Sequence, residues 1–189
     1  ALEACKKESE RLPKPDQRIV NNLTWLNKQV FKTIFFALGN TPEPVYGGMI
    51  EDKGVGGVET TYLELPEEMA KRGHTCFVFC KCEKDHVYKG VYFVPYEKMN
   101  DYVNLNPDVI ISSRWFDAFY SFPNAKRIQW AQDAFYSDSN RPDTWQIINA
   151  FVCSSLWHRQ YTAERLGERL NAKKINVIPL SIRTDLFKN

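Results

Sequence analysis

The chain has 189 residues, and 25 Lys and Arg against 23 Asp and Glu leave a formal charge of +2. With 43% hydrophobic and 14% aromatic residues it can build a core, which excludes wholesale disorder. The near-neutral balance argues against a dedicated nucleic-acid binder, and no apolar run approaches the roughly 18 residues that span a bilayer.

Residues 1–31 stand apart. They are charged, contain Pro13 and Pro15, and then place Ile19, Val20, Leu23, Leu26 and Val30 at helical spacing after a cap at Asp16. A flexible start followed by one amphipathic helix packed on the main body is predicted, with the tail of a preceding domain as the other reading. From residue 32 to 189 strands and helices alternate. The apolar run 33–38 reads as a strand buried on both faces, and 39–56 as a loop rich in Gly and Pro. The spacing of Val58, Leu63, Leu65 and Met69 predicts a helix over 57–71, with a kink or break at Pro66 and a left-handed cap at Gly73. Further strands are predicted at 75–79, 91–94, 109–112, 127–131, 150–154 and 175–180, with helices over 115–122 and 156–170. This alternation implies βαβ units, hence an α/β, Rossmann-like, doubly wound and mostly parallel sheet.

Five cysteines (5, 76, 80, 82 and 153) make an odd count, and four lie in or beside strand-like runs where a thiol acts as a small hydrophobe. Cys80-x-Cys82 lacks zinc-site spacing, so free thiols in a reducing, cytoplasmic compartment are expected, with a peripheral position at a membrane surface left open. Asn22-Leu23-Thr24 matches a glycosylation acceptor, a triplet common by chance. The start at Ala1 and the end at Asn189 read as the cuts of a fragment from a longer protein.

In an open parallel sheet, ligands sit beyond the carboxyl ends of the strands. Gly54-Val55-Gly56-Gly57-Val58-Glu59 opens the first helix there. Its glycines let backbone approach a ligand, and the helix N-terminus offers unpaired N–H groups and partial positive charge suited to a diphosphate. A plain tight turn explains the glycines equally well, and no P-loop lysine follows. Arg114 after the 109–112 strand can grip an anion bidentately with Trp115 as a stacking plate; an exposed arginine and an anchoring tryptophan are the alternative. Gln132 and Asp133 follow the 127–131 strand, where Asp133 would orient a hydroxyl or cap a turn, and Ser154 or Ser155 reads as the N-cap of the next helix. His74, His86 and His158 are scattered, and no nucleophile triad or metal spacing is legible.

Three ordered segments carry a resemblance. Gly56-Gly57-Val58-Glu59 running to Lys71-Arg72-Gly73-His74, then Val152-Cys153-Ser154-Ser155-Leu156-Trp157, then Lys174-Ile175-Asn176-Val177-Ile178-Pro179 to Phe187 resemble family 4 retaining glycosyltransferases over about residues 33–187. The resemblance implies the N-terminal, acceptor-side half of a two-domain GT-B enzyme whose donor-binding C-terminal domain is absent from this sequence, so that this piece alone would not turn over. It implies a UDP- or GDP-sugar donor, no separate cofactor, no required metal, and a glycan, lipid or protein acceptor. Gly56, Gly57 and Val58 would hold the diphosphate, Glu59, Arg114 and Trp115 the acceptor, and Gln132 and Asp133 the catalytic position. Gln132 stands where the family often has histidine, and Leu180-Ser181 and Arg183 depart from its closing pattern. A non-catalytic carbohydrate- or protein-binding module is therefore the competing expectation, and an NAD-dependent oxidoreductase a weaker one.

Overall fold

A computed structural model describes residues 31–39, 41–133, 143–167 and 174–180. The chain divides into two compact units, residues 1–31 and 32–189. The N-terminal helix expected over the first unit and its cap at Asp16 lie outside the described residues, as does Cys5.

The second unit is one eight-stranded sheet. Its strands are β1 (Thr33–Leu38), β2 (Thr75–Cys80), β3 (His86–Tyr88), β4 (Val91–Pro95), β5 (Val109–Ser113), β6 (Lys126–Ala131), β7 (Ala150–Cys153) and β8 (Ile175–Val177), in the spatial order β3-β4-β2-β1-β5-β6-β7-β8. Every pairing is parallel except that of β3 with β4. The expected Rossmann-like, doubly wound sheet is thus present. Strand β1 shows why both faces must be covered, because its side chains alternate between two apolar cores. Phe35 and Ala37 join Phe77, Phe79, Ile110 and Phe151 on one side, while Ile34, Phe36 and Leu38 join Tyr62, Val78 and Phe93 on the other.

The α-helices among the described residues are α1 (Met49–Asp52), α2 (Gly57–Lys71), α3 (Thr144–Ile147) and α4 (Leu156–Leu166). Helix α2 buries Val58, Tyr62, Leu63 and Pro66 against the sheet and runs through Pro66 without the expected break. A proline forfeits one intrahelical hydrogen bond, and the packed residues on either side of it hold the helix across that gap. Its end follows the expected glycine cap. Gly73 (φ 90°) donates its N–H to the Ala70 carbonyl at 2.9 Å, and His74 donates to that of Met69 at 3.2 Å.

Other elements depart from expectation. The loop over 39–56 contains α1, and β3 occupies part of a stretch that reads as a charged loop. Lys89 (φ 45°) and Gly90 (φ 81°) form the two-residue hairpin turn to β4, both in the left-handed region that such a turn requires. Two 3-10 helices, Tyr96–Leu105 and Phe116–Tyr120, connect β4 to β5 and β5 to β6. The closing strand stops at Val177, although Ile178 still donates its N–H to the Cys153 carbonyl at 2.9 Å. No helix among the described residues is long and apolar enough to cross a membrane.

The described thiols, Cys76, Cys80, Cys82 and Cys153, are all free. Burial pushes Cys76 up to about 12 and raises Cys153 as well. A hydrogen bond between Cys80 and Cys82 raises the buried Cys80 and lowers Cys82.

Candidate functional site

The parallel strands end together on one edge, and the strand order reverses direction between β1 and β5. That reversal opens the crevice in which sheets of this kind bind ligands. The chain is drawn tight there. Gly39 donates its N–H to the Ser113 carbonyl at 3.1 Å, and a Cβ on Gly39 would lie 2.6 Å from that of Trp115. Ser112 Oγ donates to the Trp115 carbonyl at 2.6 Å. Between them Arg114 adopts φ 60°, a strained conformation for a side chain-bearing residue.

The strain aims the guanidinium along the edge. Arg114 Nε donates to Asp133 Oδ2 at 2.6 Å and Nη2 to Oδ1 at 3.0 Å, while Nη1 lies 4.0 Å from Glu59 Oε1. These bonds, chiefly those to Asp133, raise the Arg114 pKa further. One cation and two carboxylates leave the cluster formally one charge negative. The arginine fork, which the sequence offers to a substrate anion, is filled by Asp133. Trp115 is half-buried at the edge of the core with its ring edge-on to Tyr96 at 5.9 Å, the position of an anchor.

Helix α2 begins at this cluster. Gly56 is its N-cap with extended backbone (φ −68°, ψ 161°), and Glu59 is the third helical residue. A Cβ on Gly56 would run into the Glu59 carboxylate, which therefore lies back over the helix N-terminus, where unpaired N–H groups favour negative charge. Gly57 meets nothing within 4 Å of a would-be Cβ. Val58 turns its side chain into the core, so only its main chain is available to a ligand. Gly56, Gly57, Glu59, Arg114 and Asp133 thus converge at one end of the sheet.

Gln132 joins them from β6. Its Oε1 lies 3.4 Å from Thr61 Oγ1, whose hydroxyl also donates to the Gly57 carbonyl at 3.0 Å, and its buried Nε2 has no hydrogen-bond partner among the described residues. His158 is 97% buried in the first turn of α4, with Nδ1 3.3 Å from Ser154 Oγ. Ser155 caps this helix, as expected, by accepting from the His158 N–H at 3.0 Å. Burial lowers the His158 pKa, opposed by the backbone and carboxylate of nearby Asp133. Neither Thr61 nor His158 is legible as a site residue in the sequence, because spacing alone does not say which side chains face Gln132 and Asp133. No group of three or more His, Cys, Asp or Glu that could hold a metal occurs among the described residues.

Fold and site together define a Rossmann-like α/β domain with a cluster of polar side chains at its switch point. The chain matches no protein-family model and no curated protein sequence.

Proposed function

We propose that this chain is the acceptor-side domain of a GT-B glycosyltransferase that moves a sugar from a UDP- or GDP-sugar to an acceptor with retention. The observation that carries the reading is Gly57. It is a helix-opening glycine facing open space at the switch point, with no internal packing or positive φ to explain the missing side chain. Such a residue lets an anion approach main-chain N–H groups. As the bond from the sugar C1 to the diphosphate breaks, the first turn of α2 stabilises the negative charge growing on the departing nucleoside diphosphate. Glu59 occupies that pole, and Arg114 lies close enough to draw its carboxylate aside. Gln132 and Asp133 face the acceptor hydroxyl. A second, donor-binding domain completes the enzyme in this reading.

The test is isothermal titration of UDP and GDP into the complete polypeptide, followed by assay of sugar-nucleotide turnover. Saturable diphosphate binding that depends on residue 57 is expected; binding indifferent to that residue overturns the reading. The second reading, a binding module without turnover, is favoured by the occupied fork of Arg114 and by Gln132, whose amide does not titrate and so cannot act as an acid or base. It predicts carbohydrate binding with no hydrolysis or transfer from any nucleotide sugar.

A further inference from the structure

Strand β2 ends on a pair of cysteines that sugar transfer does not use. Cys80, its last residue, is fully buried, and Cys82 is partly buried against the same apolar core. In an extended chain, residues two apart share a face but stand roughly 7 Å apart between Cα atoms, just beyond the about 4.4–6.8 Å that a disulfide spans. Here the Cys82 N–H donates to the Cys80 carbonyl at 3.0 Å, which closes a γ-turn around Lys81 and draws the two residues together. Their thiols hydrogen-bond to each other, and Cys80 Sγ also lies 3.4 Å from the Val45 carbonyl oxygen.

The two sulfurs are unequal. Cys82 lines a cavity of about 430 Å³ with Val45, Tyr46, Gly47, Lys84 and His86, a volume in the range of small-molecule sites. Cys80 lies in the core beside it. The hydrogen bond from Cys80 holds the Cys82 thiol below its usual range, against burial and the carboxylates of Asp85 and Glu97, while the same bond and burial keep Cys80 protonated. Cys82 is therefore the nucleophile of the pair and Cys80 its reserve. Both ring nitrogens of His86 are engaged, Nε2 accepting from the Gly47 N–H at 3.1 Å and Nδ1 3.1 Å from the Lys84 carbonyl oxygen, so the thiol protons exchange with water rather than with this histidine.

We propose that Cys82 and Cys80 are a redox-active dithiol that reduces a low-molecular-weight disulfide entering this cavity and closes to an intramolecular disulfide. The Cys82 thiolate attacks one sulfur of the small disulfide, whose S–S bond breaks, and one half leaves and takes up a proton. Once Cys82 is a mixed disulfide it no longer holds the Cys80 proton. Cys80 loses that proton to water and attacks the Cys82 sulfur, and the second half leaves and is protonated. Two electrons pass to the small disulfide, and the two protons given up by the dithiol balance those taken up by the released thiols. The dithiol shares no residue with the cluster of Gly57, Glu59, Arg114, Gln132 and Asp133, so the outcome of the UDP and GDP titrations does not bear on it.

The experiment incubates the full chain, with and without Cys5→Ser, with glutathione disulfide and separately with hydroxyethyl disulfide. Acid quenching, chromatography of the released thiol and tandem mass spectrometry of peptides cut after Lys81 follow. With at least one probe the parent is expected to release two small thiols per chain and to yield peptides joined through Cys80 and Cys82. Cys80→Ala should release one and stop as the mixed disulfide on Cys82, and Cys82→Ser should lose the reaction. Should Cys80→Ala fail to fold, as circular dichroism would show, the peptide map of the parent decides alone. The proposal falls if the parent stays reduced with both probes, if it stops at the mixed disulfide, if Cys82 pairs with Cys5 instead of Cys80, or if Cys82→Ser reacts as the parent does.

Discussion

Replacing Gly57 with alanine separates function from fold. A Cβ at this position meets no atom within 4 Å, and its backbone is that of a helical first residue rather than a positive-φ glycine. Alanine therefore fits the native state without strain and removes conformational freedom from the unfolded chain. That should stabilise the domain by about 0.4–1 kcal/mol. For a chain of this size the gain corresponds to a rise in Tm of roughly 1–4 °C. The added methyl group stands where an anion would reach the first-turn N–H groups. Losing one charge-assisted hydrogen bond costs about 1.5–3 kcal/mol, so the Kd for UDP or GDP should rise about 10- to 150-fold. Valine at the same position should block approach more completely. Differential scanning calorimetry reads the first quantity and isothermal titration the second. A Kd unchanged within about twofold, with the Tm raised as expected, would show that the opening at residue 57 is a plain turn and would refute the diphosphate assignment.

Other consequences follow from the same geometry. Because Arg114 holds φ 60°, Arg114→Gly should be more stable to urea than Arg114→Ala by about 1 kcal/mol, since both lose the pair with Asp133 but only glycine adopts that backbone freely; equal midpoints would argue against strain at the switch point. Burial lowers the folded-state pKa of His158 below its ordinary 6.5, so the unfolded chain binds the proton more readily. The stability His158 contributes is complete above about pH 6.5 and is lost as pH falls through the folded value; His158→Gln should flatten that part of the urea-midpoint profile. Iodoacetamide should modify Cys82 before Cys76, Cys80 or Cys153, because Cys82 is the one thiol of the four whose pKa is lowered and is only partly buried; peptide mapping that finds Cys76 or Cys80 alkylated first would contradict the packing of β2.

Legibility in the sequence followed how locally each feature is encoded. The bounds of helix α2 could be read from the sequence because its apolar spacing, its opening glycines and the Gly73 cap agree, whereas the break expected at Pro66 is absent. Strand β1 could be read because a short apolar run with buried neighbours on both faces has few alternatives. What escaped was encoded elsewhere. β3 has no apolar pattern of its own, with burial alternating between intermediate and exposed, and exists because Lys89-Gly90 turns it back onto β4. The 3-10 helix Tyr96–Leu105 buries only Met99, with Tyr102 partly buried against the core, so few of its residues mark it as an element that packs on the sheet. The bond between Arg114 and Asp133 joins residues 19 apart in sequence, and only the parallel pairing of β5 with β6 brings them together.

That last bond changes how the crevice works as a whole. Arg114 and Asp133 each read, alone, as a group waiting for substrate. Paired, they form a preorganised bridge whose excess negative charge is Glu59, and Glu59 lies over the N-terminus of α2. Under the proposed transferase reading an incoming diphosphate would compete with Glu59 for the same pole, and the outcome would depend on whether Arg114 can hold both carboxylates at once. Its one remaining contact to Glu59, at 4.0 Å, has room to shorten, whereas the bidentate contact to Asp133 is already at full strength. Of the two carboxylates, Glu59 makes the longer contact to Arg114, and under the proposed reading it is the one that an incoming anion would displace.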